Sequence, residues 1–274
     1  MTFDLSMLWD FSQPDVSEQR FRAALASSTG DDALILQTQI ARTYGLRGDF
    51  ARAQQILDDI EPQVGSAGAQ VRARHALERG RTLSSAVHSP ESQTEPVKAA
   101  ARAAYMHALD IAQTEWLDDL AIDALHMLAF VDTDPADQLT WGMQALSVME
   151  GSSQPAARQW EGSLRNNVGY ALHQQGRYEE AFTQFKLALA FRERAGNAEQ
   201  IRVATWMVAW TLRALGRMDE ALDIQLRLER ECEVAGAPDP YVFEELESLY
   251  RARNDTARAD AYAELQNEHK RNDS

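Results

Sequence analysis

The sequence repeats itself with a period of 40 residues near its carboxyl end. The segment NNVGYALHQQGRYEEAFTQFKLALAFRERAGN, which begins at Asn166, aligns without a gap with WMVAWTLRALGRMDEALDIQLRLERECEVAGA, which begins at Trp206. The aligned pairs include Leu172 with Leu212, Gly176 with Gly216, Ala181 with Ala221, and Ala195-Gly196 with Ala235-Gly236. A chain with a period of this length folds as stacked copies of one supersecondary unit.

The same turn pattern recurs outside these two segments. An alanine follows five positions after Gly48 and five positions after Asn254, as in the two aligned repeats. Apolar residues recur every three or four positions, as at Phe182, Phe185 and Leu189, and no run alternates as a strand would. The pattern predicts an all-α chain of helix-turn-helix units.

Around Gly176 these residues resemble the tetratricopeptide repeat. The matching positions are a small residue in the first helix, a glycine at the turn, and an alanine and an aromatic residue in the second helix: Gly169, Gly176, Tyr178, Ala181, Phe185 and Ala188. The resemblance implies a right-handed α-solenoid of about six such repeats plus an N-terminal helix. The chain also resembles an uncharacterised group of bacterial tetratricopeptide proteins, which supplies a fold and no known activity.

We expect one domain over residues 1–274, with an N-terminal cap at 1–30 and repeats over 31–272. Two degenerate repeats are expected at 70–112 and 117–150, which gives roughly thirteen helices. The segment from Ser85 to Pro96 is too short to divide the chain, so we interpret it as a loop. The last repeat is polar enough to serve as a cap, so we expect a monomer.

Charge and composition exclude several function classes. Against 42 Asp and Glu there are 27 Lys and Arg, a net charge of −15, which disfavours contact with nucleic-acid phosphates. Cys232 is the one cysteine, so neither an internal disulfide nor a thiolate metal site is expected. The first residues lack a basic segment and a long apolar run, so we expect no membrane association and a cytoplasmic protein.

Motifs for metal, phosphate and acyl-transfer chemistry are missing from the sequence, which contains no HExxH, GxxxxGK, GxSxG or GxGxxG. We therefore expect no enzyme activity, no cofactor and no metal. An enzyme would need acids and bases to converge, such as Asp123, His126, His173 and Glu244. The run Glu244, Glu245 and Glu247 is interpreted as a solvated helix face, as is the basic cluster Arg72, Arg74, Arg79 and Arg81.

The alignment predicts which residues share one face of successive first helices. Spacings of four and then three place each triplet on one side of its helix. The triplets are Asn166, Tyr170 and His173; Trp206, Trp210 and Arg213; and Glu244, Ser248 and Arg251. A poorer alignment adds Asp123, Met127 and Phe130, and Tyr241 is expected to close the end of the groove. The candidate groove residues are thus Asn166, Tyr170, His173, Trp206, Trp210, Arg213, Tyr241 and Glu244.

These residue types favour a protein or peptide partner bound without catalysis. Tyr, Trp and Arg dominate interaction hot spots. We expect an apolar partner side chain to insert between Trp206 and Trp210, Asn166 to bond the partner's backbone, and Arg213 to receive a carboxylate or phosphate. Two alternatives stay open. The tryptophans serve only as packing between helices, or the groove belongs to a sensor of a small ligand or peptide that regulates a partner protein.

Overall fold

The computed structural model describes residues 4–272, and this part of the chain is helical without a strand. The prediction of an all-α fold is confirmed. Its fourteen α-helices are α1 Pro14–Leu25, α2 Gly30–Leu46, α3 Phe50–Val64, α4 Ala69–Leu83, α5 Glu95–Thr114, α6 Asp118–Val131, α7 Pro135–Gly151, α8 Pro155–Arg158, α9 Glu161–Gln174, α10 Tyr178–Ala195, α11 Ala198–Ala214, α12 Met218–Val234, α13 Pro240–Ala252 and α14 Thr256–Asn272. The four-residue helix α8 accounts for the difference from the thirteen expected.

The helices form two compact units. The first unit ends at Trp160 and contains α1 to α8; the second begins at Glu161 and contains α9 to α14. In the first unit α2 packs on α3, α4 on α5 and α6 on α7. In the second unit the packed pairs are α9 with α10, α11 with α12 and α13 with α14. Each unit is therefore a stack of helical hairpins.

A three-residue turn joins the helices of the most regular hairpins, and its middle residue is left-handed. The φ angles are +78° at Gly48, +72° at Gly176, +76° at Gly216 and +59° at Asn254. Glycine adopts this conformation without steric cost, and asparagine tolerates it better than other residues with a side chain. The alanine five residues after each turn is buried in every case: Ala53, Ala181, Ala221 and Ala259.

The two helices of a hairpin approach closely at the small residue of the first helix. A Cβ atom added at Gly169 would lie 2.8 Å from the ring of Phe185, a fully buried residue of α10. This pair explains why the repeat combines a glycine in the first helix with an aromatic residue in the second. The first helices of the second unit, α9, α11 and α13, carry the candidate residues.

The N-terminal segment packs on the first helices of the first unit. The Trp9 ring stacks on Phe11 at 4.6 Å between centroids and meets the edge of Phe21 at 4.9 Å. Phe21 is fully buried in α1. An additional helix before the first repeat is therefore present. The loop between α4 and α5 includes one 3-10 turn, Pro90–Ser92, in the segment interpreted as a loop.

Candidate binding face

Three consecutive first helices of the second unit carry all the predicted groove residues. Helix α9 holds Asn166, Tyr170 and His173; α11 holds Trp206, Trp210 and Arg213; and α13 holds Tyr241 and Glu244. Spacings of four and three residues put the members of each set on one side of their helix.

Five rings from these helices form one continuous run centred on Trp210. Its indole stacks on the His173 imidazole with 3.4 Å between centroids, on Trp206 at 5.7 Å and on Tyr170 at 6.0 Å. Trp206 meets Tyr241 edge-on at 6.2 Å. Such pairs add stabilisation beyond the apolar area that they bury. We call these five residues, Tyr170, His173, Trp206, Trp210 and Tyr241, the aromatic face.

The aromatic face is partly open to solvent. Tyr170 is 43% exposed and Tyr241 is 64% exposed, while Trp206, Trp210 and His173 are half-buried. The Trp206 Nε1–H donates a hydrogen bond to the Tyr241 carbonyl oxygen at 3.1 Å. The two tryptophans thus pack between neighbouring helices and also keep accessible surface. This arrangement is compatible both with a packing role and with a binding role.

Arg213 has a partner within its own chain. Its Nε and Nη2 groups donate to the two carboxylate oxygens of Glu245 at 2.8 and 2.7 Å. Glu245 is 3% exposed, so the interpretation of the Glu244 to Glu247 run as a solvated face is wrong for this residue. The carboxylate raises the pKa of Arg213 by hydrogen bonding. The carboxylate or phosphate expected from a ligand is therefore supplied by the protein itself, through Glu245, which the sequence reasoning placed on a solvated face.

His173 is neutral at physiological pH. Burial and the nearby positive charge of Arg213 lower the pKa of its imidazole to about 4. Its Nε2 atom is buried and has no hydrogen-bond partner. Its faces are covered by Trp210 and by the edge of Tyr178, with 4.8 Å between the Tyr178 and His173 centroids. The residue therefore acts as a flat, uncharged member of the aromatic face.

Two polar side chains remain available beside the rings. Within residues 4–272 the half-buried side chain of Asn166 makes no hydrogen bond, and the exposed Glu244 carboxylate makes no ion pair. An amide both donates and accepts, which suits a peptide backbone, and a solvent-exposed carboxylate suits a cation, although the charge of Glu244 also acts on nearby Arg213. The open charge beside the aromatic face is therefore negative.

The four acids and bases that an enzyme would need are divided between the two units of the chain. Asp123 and His126 lie on α6 of the first unit, where Asp123 accepts a hydrogen bond from Arg81. His173 and Glu244 lie on α9 and α13 of the second unit. Burial raises the pKa of Cys232, which makes its thiol a poor nucleophile.

No group of three or more His, Cys, Asp or Glu residues between positions 4 and 272 is arranged to hold a metal ion. In the same range, every helix is too short or too polar to cross a bilayer.

Comparison with known proteins supports the family suggested by the repeats. The family model of the tetratricopeptide repeat matches residues 160–229, which include α9, α10, α11 and most of α12. These residues are tetratricopeptide repeats. The resemblance noted around Gly176 is therefore confirmed. No curated protein matches the chain significantly.

Solved structures share the fold of this chain at low sequence identity. A signal transduction ATPase with numerous domains and a tetratricopeptide repeat sensor, from Pyrococcus horikoshii, is 9% identical with a TM-score of 0.68. The match covers 92% of this chain and 39% of that one. The apo form of RapI is 12% identical with a TM-score of 0.69, over 93% of this chain and 70% of RapI. At these identities the likeness concerns the fold alone.

Proposed function

We propose that this chain is a protein-binding module that holds a peptide segment or a protein surface on its aromatic face. The observation that carries the proposal is the run of five rings across α9, α11 and α13, with Tyr170 and Tyr241 exposed at its two ends. Rigid aromatic surface offers contact area at a small cost in side-chain entropy, and it dominates binding energy at interfaces.

The polar groups beside the rings suggest how a partner is oriented. The side chain of Asn166 is available to bond the backbone of an extended segment, and the neutral His173 lets the ring surface contact apolar groups without desolvating a charge. Apolar or aromatic side chains of the partner would lie against Trp206 and Trp210. The chain needs no cofactor for this role.

The charges favour a basic partner over the acidic one that Arg213 suggested. Arg213 already pairs with Glu245, while Glu244 is open to solvent and the whole chain carries a net charge of −15. Opposite charge speeds association and selects partners. The proposed partner segment therefore combines an aromatic or aliphatic anchor with Lys or Arg.

The experiment selects short peptides from a random displayed library on the wild-type chain and then compares variants. Tyr170→Ala and Tyr241→Ala remove exposed rings, so both variants are expected to fold. The matched control is Trp116→Ala, because Trp116 is an aromatic residue of the first unit that is 79% exposed. We expect selected peptides to be rich in aromatic and basic residues and to bind Trp116→Ala as well as wild type.

The double variant Tyr170→Ala/Tyr241→Ala should lose about 2 kcal/mol or more of binding free energy, measured by calorimetry with one selected peptide. Glu244→Gln should weaken the same peptide and reduce its dependence on salt. A peptide set that binds the double variant undiminished, or a selection that yields no specific peptide, would contradict the proposal.

A further inference from the structure

A second feature lies in the first unit: a cavity of about 250 Å³ between α2, α4, α6 and the segment that follows α4. Its polar lining includes Arg42, Glu78 and Arg81, and its apolar lining includes Leu46, Val87 and Phe130. Ligand cavities are typically apolar with a few convergent polar groups, and drug-sized ligands need about 300 Å³ or more. A cavity of this size therefore suits a smaller molecule.

The charged side chains at the cavity form a buried network. Arg81 donates to Glu78 Oε1 at 2.6 Å and to the Asp123 carboxylate, and an Arg42 nitrogen lies 3.9 Å from Asp123. Arg74 lies in the same region, 3.9 Å from Asp119. The interpretation of the arginines of α4 as a solvated face is therefore wrong for Arg74 and Arg81, whose side chains are 13% and 11% exposed.

Three polar atoms of this network have no hydrogen-bond partner; one is the Nε of Arg74, which does not line the cavity, and the other two belong to residues that do. Glu78 is 2% exposed, and its Oε2 atom has no hydrogen-bond partner. The buried Nε–H of Arg42 also has none. Both residues line the cavity. Buried polar atoms are nearly always satisfied, so the unpaired acceptor and the unpaired donor on two residues that line one cavity are the groups with which a molecule bound there would pair.

The two atoms specify complementary groups on that molecule. Glu78 Oε2 accepts and carries negative charge, so it suits an ammonium; Arg42 Nε donates and carries positive charge, so it suits a carboxylate. The wall formed by Leu46, Val87, Met127 and Phe130 suits an apolar side chain. We propose that this cavity binds a small zwitterion with an apolar side chain, which is the chemistry of an apolar α-amino acid.

The electrostatics of Arg42 agree with this assignment. Burial and the neighbouring positive charge of Arg81 lower the pKa of the Arg42 guanidinium. A ligand carboxylate next to Arg42 would offset both effects. The proposal concerns residues of the first unit alone, so it stands or falls independently of peptide binding on the aromatic face.

The test is calorimetric titration of the whole chain with L-leucine, L-methionine and L-phenylalanine. Two analogues of leucine are matched controls: 4-methylpentanoic acid lacks the ammonium, and 3-methylbutylamine lacks the carboxylate. We expect at least one amino acid to bind with one-to-one stoichiometry. Loss of either charged group should weaken binding of the leucine skeleton about tenfold or more, since each charge-assisted hydrogen bond is lost.

Two variants test whether the ligand binds in the cavity. A Cβ atom added at Gly45, which lines the cavity, meets no atom within 4 Å, so Gly45→Leu fills the space without a backbone clash and should abolish binding. Glu78→Gln should weaken binding about tenfold. The matched control is Glu18→Gln, because Glu18 is an ion-paired, largely buried carboxylate of the same unit outside the cavity; it should bind like wild type.

Three results would overturn the proposal. They are no binding of any of the three amino acids at about 1 mM, equal affinity for leucine and its two analogues, or full binding by Gly45→Leu. If a variant fails to fold by circular dichroism, the comparison of leucine with its analogues on the wild-type chain still decides.

Discussion

His173 owes its neutral state to its neighbours, and this has a consequence for stability. The folded pKa of about 4 lies below the ordinary value of 6.5, so the unfolded chain takes up a proton first as the pH falls. The contribution of the neutral ring to the free energy of unfolding is fully present above about pH 6.5 and is lost as the pH falls toward 4. Because the ring is only half-buried, we expect the loss to be about 1 kcal/mol.

The measurement compares urea unfolding of wild type and His173→Phe at neutral pH and at about pH 4.5. Phenylalanine keeps a flat ring beside Trp210 but does not titrate. Wild type should lose more stability between the two pH values than the variant does. Equal losses would mean that His173 has an ordinary pKa in the folded chain.

The Arg213–Glu245 pair should respond unequally to the loss of each partner. Arg213→Met leaves the Glu245 carboxylate, which is 3% exposed, without its partner, and this should lower the free energy of unfolding by about 2 to 4 kcal/mol. Glu245→Gln leaves a guanidinium whose side chain is 32% exposed and still hydrated, so about 1 kcal/mol is expected. Chemical denaturation of both variants and of their combination measures the asymmetry, and the reverse order would contradict it.

At the scale of the helical hairpin, the residue type at each turn is determined by the backbone φ angle and not by the room available for a side chain. A Cβ atom at Gly216 would meet nothing within 4 Å, but the φ angle of +76° is left-handed. Gly216→Ala should therefore destabilise the chain by about 1 kcal/mol. Gly216→Asn should cost less, because Asn254 has a φ angle of +59° at the equivalent turn.

Gly45 is the matched control for this prediction. It also has open space around its Cβ position, but it lies inside α2 and its backbone is not left-handed. Gly45→Ala should stabilise the chain by about 0.5 kcal/mol, since alanine favours the helix. Thermal unfolding of the three variants separates the two effects; the same sign for Gly216→Ala and Gly45→Ala would contradict the argument.

Corresponding positions of neighbouring hairpins can still differ in their packing. Phe185 of α10 is fully buried against Gly169, whereas the residue 40 positions later is Gln225 of α12. Gln225 is also fully buried, and neither polar atom of its amide has a partner. The repeat pattern predicts that the side chain at position 225 is buried, but it does not predict whether a polar side chain there finds hydrogen-bond partners.

At the scale of the whole molecule, the expectation of one domain remains a prediction, and Gln225 offers a way to test it. Gln225→Leu removes an unsatisfied buried amide from the second unit and should stabilise it by about 1 kcal/mol. Leu57→Ala opens a cavity at a fully buried position of the first unit and should cost about 2 to 4 kcal/mol.

A single domain predicts one unfolding transition, which both substitutions shift. Urea unfolding followed by circular dichroism tests this on wild type and on the two variants. Two transitions, each moved by only one of the substitutions, would show instead that the units unfold separately.

The sequence by itself determined the helices, the turns and the composition of the aromatic face. Each depends on local signals: the three-to-four spacing of apolar residues, a left-handed residue at each turn, and equal offsets from Gly176 and Gly216. Tyr170 and Trp210 share one such offset, and their rings stack in the structure.

Only the tertiary structure decided how the charged residues are used. Arg213 pairs with a residue 32 positions away, and Arg81 with one 42 positions away. The apolar positions Val242, Leu246 and Leu249 put Glu245 on the packed face of its helix. Only the tertiary structure shows that Arg213 is its partner, because that pairing depends on how the two helices pack. The cavity beside Glu78 is likewise formed by three helices and a loop, so no segment of the sequence contains it.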